Sequence, residues 1–197
     1  YNSNMKDKVI LVDADGVLLD WEYMFTRWMN IQGHTVIPRF ENSYKIGERY
    51  GLKNGAEMIR EFNHSAWIGF IPSLRDSVKY VRKLHDEHGY LFHVITSLST
   101  DEYAGRLRKQ NLEKLFGETV FERFVFLDTG ADKDEALEEY KNTGCWWFED
   151  KFENAVVGQN LGLRSILIDH HHNKDLHHAE IPRVVNWAEA YELITQQ

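Results

Sequence analysis

The stretch VILVDADGVLLD, residues 9–20, decides the fold class. Four apolar residues lead directly into Asp13 and Asp15, and Gly16 follows the second acid. A short apolar run bounded by turn-forming residues is typical of a strand that is buried on both faces, as in a parallel sheet. In such a sheet the carboxyl ends of the strands line the crevice where ligands bind. The stretch therefore predicts a buried strand that carries two carboxylates to a binding crevice.

Similar apolar runs recur along the chain and alternate with segments of helical periodicity. The runs are YLFHVI, FVFLD, CWWFE and SILID, at residues 90–95, 124–128, 145–149 and 165–169. The helical segments cover residues 76–89, 101–117, 131–144, 152–162 and 187–194, and all but the last end at a glycine. This alternation predicts an α/β fold, a Rossmann-like parallel sheet sandwiched by helices.

Residues 21–72 do not follow the alternation. They combine many aromatic residues with polar ones and contain no clear strand pattern, so we interpret them as a small, mostly helical cap inserted after the first strand. The predicted organisation is an α/β core domain made of residues 1–20 and 73–197, with a helical cap domain at residues 21–72.

Composition limits the classes of partner and compartment. The chain has 197 residues, 43% of them hydrophobic, and a net charge of −8, which disfavours a surface that binds nucleic acid. The single cysteine, Cys145, excludes a disulfide framework and is expected to be a buried thiol in a reducing compartment. There is no apolar run near the length of a membrane span and no charged-then-apolar leader, so we expect a cytoplasmic protein without membrane contact.

Polar groups follow several of the predicted strands. The groups are Asp13 and Asp15 after the first, Thr96 and Ser97 after the second, Lys133 soon after the third, and Glu149 and Asp150 at the fourth. Carboxylates that converge on one point repel each other unless a cation binds them, and Mg²⁺ prefers oxygen ligands of this kind. A lysine and a hydroxyl in the same crevice are suited to a phosphoryl group. The pattern predicts a site for Mg²⁺ and phosphate.

In kind and order, these residues resemble the motifs of the haloacid dehalogenase (HAD) superfamily of phosphohydrolases. The matching segments are VILVDADGV, LFHVIT, the lysine of GADKDEA, and WWFEDKFENA with its paired acids. The region 21–72 falls where that family inserts a small helical cap. The resemblance implies a Mg²⁺-dependent phosphomonoester hydrolase acting on a small phosphorylated molecule.

The resemblance also implies the roles of the site residues. Asp13 would attack phosphorus and form an aspartyl phosphate, and Asp15 would protonate the leaving oxygen and later activate water. Thr96 and Lys133 would hold the phosphoryl oxygens.

For the metal, the resemblance implies ligation by Asp13, by Asp150 and by the backbone carbonyl of Asp15, with Glu149 assisting through water.

The substrate is open at the level of sequence. A narrower similarity is to the 5′(3′)-deoxyribonucleotidase branch of the superfamily. It rests on the start DADGVLLDWE, the aromatic cap and the tail ILIDHHHN…IPRVVNWAEAYELI. This similarity implies that the substrate is a (deoxy)nucleoside monophosphate. Phe25, Trp28 and Trp67 are the candidate base-stacking residues and Ser97 is a further candidate for substrate binding. That branch usually has Ser-Pro after its threonine, whereas Leu98 follows Ser97 here.

Several alternatives stay open. A sugar-phosphate phosphatase or a phosphomutase would share all four motifs, and a non-enzymatic binding module could use the same fold. A dehalogenase would have no use for a second acid at Asp15, and a receiver domain would carry its acceptor aspartate after a later strand.

The histidine-rich segment DHHHNKDLHH is expected to be a solvated loop, from which His170 or Asn173 could reach the site.

Overall fold

In a computed structural model, which describes residues 8–196, one fully parallel sheet forms the centre of the molecule. Its strand order is β3–β2–β1–β4–β5–β6. The strands are β1 Val9–Val12, β2 Leu91–Ser97, β3 Phe121–Leu127, β4 Trp146–Glu149, β5 Arg164–Ile168 and β6 Arg183–Val184. The predicted α/β class and all five predicted strands are confirmed. Among the strands of the described residues, only β6 was not predicted, because two residues are too few to show a periodic pattern.

The register of the central strands aligns their carboxyl ends. Val12 pairs with Val94 of β2 on one side and with Phe148 of β4 on the other. The residues that follow these positions therefore emerge at one edge of the sheet. We call this the carboxyl edge.

Alternate residues of β1 face two hydrophobic layers. Ile10 and Val12 pack into the larger layer, whereas Val9 and Leu11 pack into a smaller one on the opposite face. Helices cover both faces, which explains why the whole VILV run is apolar. Outside residues 21–72, the helices are Ser77–His88, Glu102–Phe116, Asp134–Glu138, Phe152–Asn160 and Trp187–Thr195.

Most predicted helices agree with the observed ones to within a few residues, but the segment 131–144 is an exception. Only Asp134–Glu138 is helical there. Beyond it the chain turns, with positive φ at Asn142 and Gly144, and the Asn142 N–H donates to the carbonyl of Leu161 at 2.8 Å. Tertiary contacts therefore end this helix early, although its apolar spacing continues.

The segment 21–72 is helical and its two ends lie side by side. Its helices are α1 Trp21–Ile31, α2 Ile46–Tyr50 and α3 Gly55–Asn63, with 3₁₀ turns at Pro38–Phe40 and Ala66–Phe70. The Asp20 N–H donates to the carbonyl of Pro72, and the Leu74 N–H donates to the carbonyl of Leu18, both at 2.8 Å. The chain thus leaves the sheet after β1 and returns to the same place.

Aromatic side chains hold this segment together. Asp20 caps α1 by accepting a hydrogen bond from the Tyr23 N–H at 3.2 Å. Phe25 stacks on Trp21 with ring centres 4.4 Å apart, and it meets Phe62 of α3 edge to face at 5.4 Å. These contacts pack α1 against α3.

Two further expectations concern the single cysteine and membrane-spanning helices. Cys145 is buried, as its apolar neighbours in the sequence predicted. Within residues 8–196, every helix is too short or too polar to span a bilayer.

Candidate active site

Asp13 lies at the centre of the carboxyl edge. Its backbone N–H donates to the carbonyl of Phe148 at 3.0 Å, which extends the pairing of β1 with β4 by one residue. Its carboxylate Oδ1 accepts hydrogen bonds from the Ala14 N–H at 2.8 Å and from the Lys133 ammonium at 3.0 Å. These contacts hold the side chain, which is 10% exposed, in one orientation.

Lys133 joins two acids from different strands. It lies just before the helix Asp134–Glu138. In chain order, the helices Ser77–His88, Glu102–Phe116 and Asp134–Glu138 are α4, α5 and α6. Its ammonium is 3.0 Å from Asp13 Oδ1 and 2.8 Å from Glu149 Oε2. Burial alone would lower the pKa of Lys133, but the charges of these two acids hold it above its ordinary value.

Glu149 and Asp150 have different surroundings. Glu149 is fully buried, and its Oε1 accepts the backbone N–H groups of Asp150 at 3.0 Å and Lys151 at 3.1 Å. Asp150 is partly open to the crevice and accepts a hydrogen bond from His172 Nε2 at 3.1 Å through Oδ2. Glu149 is therefore held by the protein through both carboxylate oxygens, whereas Asp150 faces the crevice.

Gly16 permits the close approach of the two acidic loops. Its φ is +78°, and a Cβ atom at this position would lie 2.3 Å from Asp150 Oδ2. Any other residue would be strained in its backbone and would collide with the acid. The glycine of the DADG stretch is thus required by the contact between the loop after β1 and the loop after β4.

The site carries an excess of negative charge. Among the described residues, four carboxylates meet here, and only two permanent cations form ion pairs with them: Lys133, and Arg108 of the helix Glu102–Phe116, which pairs with Asp15. Burial, and then the charge of Glu149, raise the pKa of Asp13 to about 7 despite the opposing effect of Lys133. Burial likewise raises the pKa of Glu149. In the protein alone, the acids at this edge are thus held in unfavourable proximity.

The arrangement fits a divalent cation. Oxygens of Asp13, Glu149 and Asp150 all lie within 4.8 Å of one another. Hard carboxylate oxygens grouped in this way suit Mg²⁺, and two positive charges would offset the excess at the site. The sequence expectation of a magnesium site is therefore compatible with the donor set.

The two hydroxyl residues at the end of β2 point in different directions. Ser97 lines the crevice, and its Oγ donates to the carbonyl of Ala131 at 2.9 Å. Thr96 is fully buried, is not among the residues that line the crevice, and accepts a hydrogen bond from Arg108 at 2.9 Å. Successive residues of a strand face opposite sides, so only one of the two can reach a ligand. The expectation that Thr96 holds a phosphoryl group is thus not supported by its position, whereas Ser97 is well placed.

Asp15 contacts an arginine that the sequence reasoning missed. Nη2 of Arg108 donates to both carboxylate oxygens of Asp15, at 2.9 and 3.0 Å. Arg108 lies in α5 between the buried residues Ala104 and Leu112, one helical turn away on each side. The sequence signal was a charged residue in the apolar stripe of a helix, a place where charged residues occur only when paired.

A cavity of about 670 Å³ opens above these residues. Its floor contains Asp13, Asp15 and Lys133, and its far wall comes from the segment 21–72. In that wall the aromatic residues are Trp21 and Tyr44.

The predicted base-stacking residues do not line this cavity. Phe25 and Trp28 are buried in the aromatic packing between α1 and α3, with 0% and 5% of their surface exposed. Trp67 is partly buried against the larger hydrophobic layer. None of the three lines the cavity, and the ring faces of Phe25 and Trp28 are used by the packing of the segment itself.

The histidine-rich segment reaches the site through His172 and Asn173. His172 contacts Asp150, and its ring lies 4.8 Å from the ring of Tyr44. The side-chain amide of Asn173 donates to the carbonyl of Asp150 at 2.8 Å, and His170 Nε2 lies 2.6 Å from the carbonyl oxygen of Gly16. His171–Asn173 form a short 3₁₀ turn, and His170 and Asn173 contact both acidic loops, as the sequence suggested, whereas residues 174–177 are exposed like a solvated loop.

Comparisons with known proteins identify the fold. No family model and no curated protein matches the sequence, but solved structures match nearly the whole chain. A haloacid dehalogenase-like family hydrolase from Streptococcus pneumoniae has a TM-score of 0.65 at 12% identity, with 96% of this chain and 99% of that one covered. The chain has the fold of the HAD-superfamily hydrolases.

Two further solved structures match nearly the whole chain. CbbY from Rhodobacter sphaeroides in complex with phosphate has a TM-score of 0.58 at 18% identity, with 92% of this chain and 95% of that one covered. D,D-heptose 1,7-bisphosphate phosphatase from B. bronchiseptica, complexed with magnesium and phosphate, has a TM-score of 0.58 at 12% identity, with coverage of 96% and 98%. The HAD-like fold that the four motifs implied is thereby confirmed.

Proposed function

We propose that this protein hydrolyses a small phosphomonoester through an aspartyl phosphate formed on Asp13, with Mg²⁺ as cofactor. The observation that carries the proposal is the Asp13 carboxylate, fixed by Lys133 at the floor of a cavity on a HAD-like fold. A buried carboxylate that is held in one orientation beside a cation is suited to nucleophilic attack on a phosphoryl group.

In the first half of the reaction, Oδ2 of Asp13 attacks phosphorus while Oδ1 stays on Lys133 and the Ala14 N–H. A bond forms between Asp13 and phosphorus, and the bond from phosphorus to the leaving oxygen breaks. Asp15 gives its proton to that oxygen, so the product leaves as an alcohol. Lys133 holds the phosphoryl oxygens as negative charge accumulates on them, and the Ser97 hydroxyl joins it by turning its one proton from the Ala131 carbonyl to a phosphoryl oxygen.

In the second half, water hydrolyses the aspartyl phosphate. Asp15 takes a proton from the water, which attacks phosphorus and breaks the bond to Asp13. Inorganic phosphate leaves, and both aspartates return to their starting state. One residue thus acts as acid and then as base, which restores its proton over each turnover.

Mg²⁺ would be held by Asp13, Asp150 and the backbone carbonyl of Asp15. When bound, it offsets the charge of the acids and polarises a phosphoryl oxygen. Both oxygens of Glu149 are engaged by Lys133 and by backbone N–H groups, so we infer that Glu149 supports the site without a direct bond to the metal.

For the substrate we propose a (deoxy)nucleoside monophosphate. The segment 21–72 acts as the cap, and its Trp21 and Tyr44 present aromatic surface to the cavity in place of the buried residues Phe25 and Trp28. Base stacking on such a surface contributes about 1–3 kcal/mol, roughly a tenfold to hundredfold preference over a sugar phosphate.

A phosphate-release screen tests the reaction class. The protein is assayed against nucleoside monophosphates, hexose phosphates and other phosphomonoesters, with Mg²⁺ and with a chelator. We expect Mg²⁺-dependent release of inorganic phosphate. A transferred phosphoryl group without free phosphate would instead indicate a phosphomutase, and binding without turnover would indicate a binding module.

A comparison of Tyr44→Ala with Tyr103→Ala tests the substrate class. Both tyrosines are more than half exposed, but only Tyr44 lines the cavity. We expect Tyr44→Ala to lower kcat/KM for nucleotides by about tenfold and to leave hexose phosphates nearly unchanged, with no effect of Tyr103→Ala. Equal turnover of hexose phosphates and nucleotides by the wild-type protein would favour a sugar-phosphate phosphatase.

A further inference from the structure

The contacts of Arg108 place it between a site residue and a strand. Nη2 donates to both oxygens of Asp15 at 2.9 and 3.0 Å, and Nη1 donates to Thr96 Oγ1 at 2.9 Å. The side chain is 0% exposed and does not line the cavity. Arg108 therefore touches Asp15 from behind, from inside the protein rather than from the substrate side.

A buried guanidinium is costly unless its donors are satisfied. Within the described residues, Asp15 is the one acid that forms an ion pair with Arg108, and Nε has no hydrogen-bond partner. Hydrophobic residues would fill this position in α5 without that cost. A function at Asp15 would account for its presence.

We propose that Arg108 is a positioning residue for proton transfer by Asp15, and that Thr96 is the anchor that orients Arg108. This inference rests on the proposed function. A carboxylate bound through both oxygens cannot rotate about its side-chain bonds, so the oxygen that faces the substrate stays in place. Thr96 then acts inside the protein, while Ser97 serves the phosphoryl group.

Two aryl phosphates with different leaving groups separate this role from a purely structural one. p-Nitrophenolate leaves readily without a proton, whereas the phenolate of phenyl phosphate gains more from protonation. The value of kcat/KM includes only steps up to release of the phenol, so hydrolysis of the aspartyl phosphate does not affect it. A residue that acts through the acid at Asp15 therefore affects phenyl phosphate more than p-nitrophenyl phosphate.

The expected results are specific to Arg108. Arg108→Gln should lower kcat/KM for phenyl phosphate by about 10²-fold and for p-nitrophenyl phosphate by less than about tenfold. Arg108→Lys keeps the charge with a single contact and should recover part of the loss. In an Asp15→Asn background, Arg108→Gln should have no further effect. The matched control is Arg106→Gln, an exposed arginine of the same helix, which should not change either rate.

A second variant keeps the test decisive if Arg108→Gln does not fold. Thr96→Val preserves the shape of the side chain and removes the acceptor of Nη1. It should lower kcat/KM for phenyl phosphate by about threefold to tenfold and spare p-nitrophenyl phosphate, whereas Ser97→Ala should lower both alike.

Equal losses on both esters in Thr96→Val and in any folded Arg108 variant would overturn the inference while leaving the proposed function intact. An absence of turnover of either ester by the wild-type protein would overturn both. Thermal melts of each variant with and without Mg²⁺ show independently that the fold and the metal site are retained.

Discussion

The carboxyl edge of the sheet and the helical segment 21–72 each contain a group of residues that is conspicuous in the sequence. The edge has carboxylates and a lysine, and the segment has aromatic residues. At the edge, Asp13, Lys133 and Glu149 come together in one buried ion-pair cluster. In the segment, Phe25 and Trp28 are used for packing, and Trp21 and Tyr44 face the cavity. The acids at the edge are thus gathered at a cost to stability, whereas the buried aromatics of the segment contribute to stability.

The difference follows from how each region fixes a side chain. The end of a parallel strand is fixed by hydrogen bonds to its neighbours, so residues that follow β1 and β4 must emerge together. A short helix fixes only which residues share a face, and the packing of the other helices decides what that face meets. Substitutions at the carboxyl edge should therefore reduce activity, whereas substitutions of buried residues in the segment should reduce stability.

The largest expected effect is the loss of activity in Asp13→Asn. A neutral amide cannot form the aspartyl phosphate, so phosphate release should fall by about 10⁴-fold or more. The fold should be retained, since the amide oxygen can still accept the Ala14 N–H. Steady-state assays and circular dichroism measure the two properties. Substantial turnover in this variant would remove Asp13 as the nucleophile.

Phe25→Ala should have the opposite profile. Removing a fully buried aromatic ring from the packing between α1 and α3 should reduce the free energy of unfolding by about 3–5 kcal/mol. Where the variant is folded, kcat/KM should change by a similar factor for nucleotides and for other phosphomonoesters. Urea denaturation and assays at low temperature test this. A loss confined to nucleotides would mean that Phe25 contacts the base after all.

The metal requirement should depend on Asp150 more than on its neighbours. Asp150→Ala removes a charged oxygen from the cluster and should raise the Mg²⁺ concentration needed for half-maximal activity by about 10–100-fold. Glu153→Ala, an exposed acid three residues further along the chain, serves as the control. If the two variants give the same Mg²⁺ titration, the metal lies elsewhere.

The smallest expected effect concerns the stability of the metal-free protein. Burial raises the pKa of Asp13 from 3.8 to about 7, so between these values the folded protein holds a proton that the unfolded chain has lost. Stability should therefore decrease as the pH rises from about 4 to about 7 and then level off. Glu149, whose pKa burial also raises, shares this titration, so the loss of stability belongs to the pair of acids rather than to Asp13 alone.

Asp13→Asn should remove that pH-dependent contribution. With a chelator present, the variant should match the wild-type protein near pH 4 and exceed it in stability above pH 7. Urea denaturation at a series of pH values measures the difference. Stability curves that run parallel across the whole range would show that Asp13 does not carry this penalty.

The sequence was sufficient to predict the features that depend on where the strands end. The five longer strands and the positions of Asp13, Lys133 and Asp150 at one edge followed from apolar runs and the residues after them. It did not distinguish Thr96 from Ser97, because neighbouring residues of a strand face opposite sides and the run does not show which side holds the cavity.

Other features could not be predicted from the sequence because they depend on packing between residues that are far apart in the chain. Arg108 pairs with Asp15 across 93 positions of the chain, and His172 contacts Asp150 across 22. The choice of Trp21 over Trp28 as a cavity residue depends on how α1 rests against α3, since both lie on the same helix. Local periodicity carries no information on such contacts.

Direct detection of the phosphorylated residue is the sharpest test of the proposed chemistry. In Asp15→Asn, attack by Asp13 on p-nitrophenyl phosphate remains possible, but water is no longer activated, so the phosphoenzyme should accumulate. Acid quenching within the first turnover, proteolysis and mass spectrometry should then find one phosphoryl group on the peptide that contains Asp13. The same label on any other residue, or an unlabelled chain alongside a burst of p-nitrophenol, would contradict an aspartyl-phosphate mechanism at Asp13.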